Sequence, residues 1–143
     1  MIRILLADDY DIFRERVKQI LKETPDMVVT GEARNGQEVI EMIDRNDYNF
    51  LVLDVVMPGR NGLDILKDIR QKKPKIPILM ISIYEEDQYA LRSFKEGASG
   101  YMTKENVAEE LVRAIRQITK GGKYICPSIA ARLGTTSKRC SRE

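Results

Sequence analysis

Apolar residues along this chain follow two alternating rhythms. Short runs rich in β-branched side chains occur at Ile2–Ala7, Met27–Thr30, Phe50–Leu53, Ile78–Ile81 and Gly100–Met102. Between them the spacing becomes that of a helix with one buried face: Phe13, Val17, Ile20 and Leu21, then Val39, Ile40 and Ile43, then Leu63, Leu66 and Ile69. Ala90, Leu91 and Phe94 make a weaker stripe, and Val107, Leu111, Ile115 and Ile118 a clear one. Five strands, each followed by a helix, predict a parallel sheet with helices on both faces. Strands 1, 3 and 4 are apolar at nearly every position, as burial on both sides requires. The short connections suit an α/β, flavodoxin-like doubly wound (βα)5 domain with a five-stranded parallel sheet in the order 2-1-3-4-5.

The chain has 143 residues, the span of one domain. Gly121-Gly122 should end the fifth helix, giving a domain over residues 1–122. Residues 123–143 read as a C-terminal extension and linker, with no output domain expected in the chain. Within the extension, Lys123–Leu133 has room for one more short strand or helix, limited by Pro127, and Gly134–Glu143 reads as a polar tail.

Composition narrows the function. Hydrophobic residues at 43% and charged residues at 32% support a full core without disulfides or metals. No apolar stretch reaches the roughly 18 residues of a membrane span, and the N-terminus turns acidic at Asp8-Asp9, too soon for a signal peptide. The expectation is a cytoplasmic protein with no membrane contact. Cys126 and Cys140 stand in a chain without histidine, so no zinc site forms and both are expected as reduced thiols. The missing histidine also excludes Ser-His and Cys-His nucleophiles, and any phosphoryl donor must be external. Net charge is +2 but uneven: residues 1–119 carry 18 basic and 21 acidic side chains, residues 120–143 carry 6 and 1. Such a basic tail offers only salt-sensitive, sequence-independent attraction to nucleic acid, so no specific DNA binding is expected of this chain.

One acid interrupts an otherwise buried run at Leu51-Val52-Leu53-Asp54-Val55-Val56-Met57-Pro58-Gly59. A lone carboxylate inside a buried strand is costly, and Pro58-Gly59 signals a turn, so Asp54 belongs at the strand's end. Parallel strands all end on one edge, where ligands bind. Strand 1 ends in Asp8-Asp9, strand 3 in Asp54 and strand 4 in Ser82, while strand 5 leads from Tyr101 to Lys104. Crowded carboxylates repel one another unless a cation joins them, and a hard ion such as Mg²⁺ accepts several carboxylates while leaving positions for a phosphoryl group. Lys104 and Ser82 would contact the phosphoryl oxygens. Asp54, set apart from the Asp8-Asp9 pair, is the natural nucleophile, because carboxylates form acyl phosphates.

These residues carry a resemblance. Asp8-Asp9, Leu53-Asp54 with Met57-Pro58-Gly59 and Asn61-Gly62-Leu63, Ser82, Gly97-Ala98, and Gly100-Tyr101 with Lys104 together resemble the receiver domain of two-component response regulators over residues 1–122. The resemblance implies that Asp54 is the phosphoacceptor and that Asp8, Asp9, Asp54 and the Val56 backbone carbonyl hold Mg²⁺. It further implies that Lys104 and Ser82 bind the phosphoryl group, that Ser82 and Tyr101 act as the switch, and that a sensor histidine kinase is the donor. Gly121-Gly122-Lys123-Tyr124 with Pro127–Leu133 is similar to the NarL/LuxR-type subfamily. That likeness implies that phosphorylation controls homodimerisation or frees an attached module, with transcription regulation through a C-terminal DNA-binding domain of a longer protein. Glu105 stands after Lys104, where many receivers have proline. Val56 and Tyr84, two residues beyond Asp54 and Ser82, are neither acids nor amides, so slow self-dephosphorylation is expected.

Two other chemistries use related parts. A phosphate hydrolase of the haloacid dehalogenase type needs Asp-x-Asp, whereas Asp54 is followed by Val55-Val56. A flavin-binding module needs a hydroxyl- or glycine-rich turn after strand 1, where Asp8-Asp9-Tyr10-Asp11 would repel a phosphate.

Overall fold

Burial dictates where each strand lies. The structure, a computed structural model, describes residues 1–45, 47–83 and 87–125, with Asp87 described by its backbone alone. The strands are β1 (Ile2–Ala7), β2 (Met27–Ala33), β3 (Phe50–Asp54), β4 (Ile78–Ser82), β5 (Gly100–Thr103) and β6 (Tyr124–Ile125). All pair in parallel, in the order β2-β1-β3-β4-β5-β6. β3 and β4 are buried at every position, whereas β2, an edge strand, alternates between buried and exposed positions. The fold is thus the α/β flavodoxin-like one, but the expected five strands in the order 2-1-3-4-5 are corrected to six. The sixth arises because Tyr124 and Ile125, apolar and nearly fully buried, cover the edge that β5 would otherwise expose. Both residues lie past the expected domain boundary at residue 122. The Tyr124 hydroxyl donates to Glu110 Oε1 at 2.5 Å, which fastens the strand to the last helix.

The helices are α1 (Asp11–Leu21), α2 (Gly36–Arg45), α3 (Gly62–Lys72), α4 (Asp87–Lys95) and α5 (Val107–Thr119). α1 packs with α5, while α2 contacts α3 and α3 contacts α4, so the sheet is covered on both faces. Val17, Leu21, Val39, Ile43, Leu63, Leu66, Ile69, Leu111 and Ile115 supply the buried stripes that the periodicity predicted. α5 ends in a Schellman motif: Gly121, at φ 96°, donates to the Ile118 carbonyl at 2.9 Å, and Gly122 to that of Gln117 at 3.1 Å. No described helix is long and apolar enough to cross a membrane. Cys126, Cys140 and the rest of the extension beyond Ile125 lie outside the described residues, as do Tyr84, Glu85 and Glu86.

Candidate functional site

The site is assembled from strand ends. β1 stops at Ala7 and Asp8-Asp9 follow, β3 ends on Asp54, β4 on Ser82, and β5 on Thr103 with Lys104 next. β1 and β3 are neighbours, so the two acidic turns meet: one carboxylate oxygen each from Asp8, Asp9 and Asp54 lies within 4.8 Å of the others. Lys104 Nζ lies 2.7 Å from Asp8 Oδ2 and 3.1 Å from Asp54 Oδ2. Ser82 is buried one residue beyond Ile81, the register partner of Asp54. The sequence-selected Asp8, Asp9, Asp54 and Lys104 therefore converge, with Ser82 on the same strand edge.

Local chemistry holds each part. The Val56 N–H donates to Asp54 Oδ1 at 3.1 Å and the Tyr10 N–H to Asp8 Oδ1 at 2.8 Å, so both turns fold around their own carboxylates. The Lys104 ammonium also stands 5.0 Å from the centre of the Tyr10 ring and 4.6 Å from that of Phe13, which narrows the positions open to it. Glu105, the residue after Lys104, lies in a single 3₁₀ turn, Lys104–Asn106. Asn106 Nδ2 braces that turn by donating to Thr103 Oγ1 at 2.8 Å. On the other side, Asn61 caps α3 by accepting from the Leu63 N–H at 2.6 Å, and the Gly62 N–H donates to the Val55 carbonyl at 2.6 Å.

Burial pushes the Asp54 carboxyl from 3.8 up to about 6; the Lys104 charge opposes the rise and the Asp8 charge adds to it. Burial alone would depress the Lys104 ammonium, but the Asp8 and Asp54 carboxylates outweigh it and hold the group above its ordinary value. Apart from its ion pair with Lys104, the buried Asp8 Oδ2 accepts no hydrogen bond among the described residues. A hard divalent cation fits these donors: three converging carboxylates, one with a buried oxygen whose partner among the described residues is Lys104 alone, and all of them hard oxygen ligands.

Tyr101, expected as part of the switch, is fully buried and lies in register between Met80 of β4 and Ile125 of β6. Arg14 went unselected in the sequence, although it shares a helix face with Val17 and Leu21, and a charge on a buried stripe was the available signal.

The profile of the response regulator receiver domain matches residues 4–116. The chain belongs to that family. The receiver domain is 32% identical over 142 residues to the transcriptional regulatory protein DegU of Brevibacillus brevis, covering 99% of this chain and 60% of DegU. It is 34% identical over 144 residues to the nitrate/nitrite response regulator NarL of Escherichia coli K12, covering 98% of this chain and 67% of NarL. A crystal structure of a LuxR-family two-component response regulator from Aurantimonas superposes with a TM-score of 0.89 at 32% identity, covering 95% of this chain and 97% of that one. The receiver is thus of the NarL/LuxR type, and the chain spans about three-fifths of the length of DegU.

Proposed function

We propose that Asp54 accepts a phosphoryl group from a sensor histidine kinase and that the receiver thereby acts as a phosphorylation-dependent switch. The observation that carries this reading is the convergence of Asp8, Asp9 and Asp54 with Lys104 bridging two of them. An Asp54 carboxylate oxygen attacks phosphorus in line, the partner's imidazole leaves with the electrons of the P–N bond, and an acyl phosphate forms. Val56 N–H keeps the carboxylate oriented. Lys104 gives its charge to one phosphoryl oxygen, and the Ser82 hydroxyl donates to another. Asp8, Asp9, Asp54 and the Val56 carbonyl would hold Mg²⁺, which when bound neutralises charge on the transferring group.

The output reading follows from β5. With Tyr101 already inside, phosphorylation acts by fixing that arrangement together with Ser82, a population shift rather than a new fold. In the longer cytoplasmic protein this change promotes pairing of two copies and governs a C-terminal DNA-binding domain. The regulatory names of the DegU and NarL relatives support that reading.

Treatment with acetyl phosphate and Mg²⁺ should give one base-labile phosphoryl adduct, read by intact mass, and EDTA should prevent it. A chain that stays unlabelled in saturating Mg²⁺ would defeat the proposal. Asp9→Ala should lose most labelling and also the response to added Mg²⁺, checked by titrating the metal against labelling rate. The adduct should decay slowly, because Val56 is half-exposed beside the acceptor and cannot orient a water. Val56→Asn supplies an amide there and should shorten the lifetime several-fold, followed by mass over time; an unchanged lifetime counts against this geometry.

A further inference from the structure

α1 carries a charge where its pattern calls for an apolar residue. Arg14 shares the buried face of Val17 and Leu21 and is only 7% exposed. A buried guanidinium is tolerated where its donors are used. Arg14 Nη1 donates to the Asp8 carbonyl at 2.6 Å, Nε donates to Glu32 Oε1 of β2 at 2.8 Å, and Nη2 pairs with Asp11. Lys18 Nζ holds the other Glu32 oxygen at 2.8 Å, so Glu32 is clamped between two cations and anchors the guanidinium from the sheet.

The consequence falls on the turn after β1. The Asp8 N–H donates to the Ala33 carbonyl at 3.0 Å, Asp8 Oδ1 accepts from Tyr10 at 2.8 Å, and Oδ2 faces Lys104 at 2.7 Å. The Asp8 carbonyl belongs to the peptide that joins Asp8 to Asp9, and Arg14 is the group that holds it. Asp9 itself makes no hydrogen bond or ion pair among the described residues. Its backbone therefore aims its carboxylate, and that aim depends on the orientation of the Asp8–Asp9 peptide.

We infer that Arg14 is a positioning residue for the acid pair: by locking the Asp8–Asp9 peptide it aims the Asp9 carboxylate at the cation site. This inference rests on the proposed role of Asp8, Asp9 and Asp54. Among the described residues Arg14 bonds the Asp8 carbonyl, Glu32 and Asp11 and none of the three site carboxylates, so it acts through the Asp8 carbonyl.

The test uses the full chain as Arg14→Met, which keeps bulk without donors, and as Arg14→Lys, which keeps charge and one mobile donor. Lys18→Met serves as the control, because it removes the other cation on Glu32 while leaving both the Arg14–Glu32 and the Arg14–Asp8 bonds. Calorimetric titration with Mg²⁺ should show about tenfold weaker binding for Arg14→Met, the size seen when a group behind a metal ligand is removed. In metal-free protein, hydrogen exchange at the Tyr10 amide should speed up about tenfold as the turn loosens, while the amides of β3 stay protected. Arg14→Lys should fall between, at about threefold weaker binding, and Lys18→Met should change Mg²⁺ affinity by less than about twofold.

Wild-type Mg²⁺ affinity and Tyr10 exchange in folded Arg14→Met overturn the inference, as does an equal loss of affinity in Lys18→Met. Should Arg14→Met fail to fold, Arg14→Lys decides by the same two readouts, and wild-type values there overturn it. Failure of the site reading looks different: Asp9→Ala would then keep the Mg²⁺ affinity of the unsubstituted chain.

Discussion

Asp54→Asn should abolish the phosphoryl adduct and, at the same time, make the metal-free protein more stable at neutral pH. The first effect is chemical, since an amide at this position is no nucleophile for phosphorus and labelling by acetyl phosphate should be lost completely. The second follows from burial. Asp54 is 3% exposed, and its carboxyl is pushed from 3.8 up to about 6. The folded protein therefore holds this proton more tightly than the unfolded chain does. The stability associated with the protonated group is present below pH 4 and is lost as pH rises through about 6. At about 1.36 kcal/mol per pKa unit, the loss approaches roughly 3 kcal/mol at pH 7.5 without metal. Asparagine escapes it, while Lys104 keeps its ion pair with Asp8.

In EDTA the variant should therefore gain up to about 3 kcal/mol over the parent at pH 7.5, and the gain should shrink as pH falls toward 4. Added Mg²⁺ should stabilise the parent more than the variant, because the metal favours the ionised acids. Urea unfolding across this pH range measures the first expectation, and melting with and without Mg²⁺ the second. Undiminished labelling of the variant would remove Asp54 from its role. A stability gap independent of pH would show that burial is not what raises the carboxyl.

Gly62→Ala should be among the most damaging single-methyl changes in the molecule. A Cβ there would stand 2.3 Å from the Asp54 carbonyl oxygen and 2.7 Å from both Val55 Cα and the Val55 carbonyl oxygen. These are backbone atoms of the turn that presents Asp54, so no side-chain rotation relieves the overlap. Relief requires α3 to move away from β3, which breaks the 2.6 Å bond from the Gly62 N–H to the Val55 carbonyl. Overpacking of this kind costs about 3 kcal/mol or more. Gly59, three residues earlier, is the internal comparison: its φ is +84°, and a Cβ there meets nothing within 4 Å. Gly59→Ala should cost about 1 kcal/mol, from backbone conformation alone. Denaturant unfolding of the two variants separates packing from conformation. Equal losses would mean that the turn yields more easily than the contacts require. Because the Gly62 methyl presses on the Asp54 peptide itself, any folded Gly62→Ala protein should also label more slowly than Gly59→Ala.

Asp54, Asp8, Asp9, Ser82 and Lys104 were legible in the sequence because a parallel sheet makes strand ends predictable. Each follows an apolar run, and every run must end on the same edge. The alternation of 2-residue and 3.6-residue rhythms was legible for the same reason, since each element buries one defined face or both. Three features needed the tertiary structure. The sixth strand did, because the sequence left Lys123–Leu133 open to a strand or a helix, and Tyr124-Ile125 pairs where the uncovered edge of β5 offers partners. The position of Tyr101 did, because alternation within a strand says which face a ring points to but not whether a neighbouring strand closes over it. The work of Arg14 did as well: its place on the buried face of α1 can be read from spacing. Its bond to the Asp8 carbonyl and its anchor on Glu32, however, join residues 6 and 18 positions away. Local pattern encodes which face a residue takes, whereas which polar groups meet on that face is decided only when helix, strand and turn pack together.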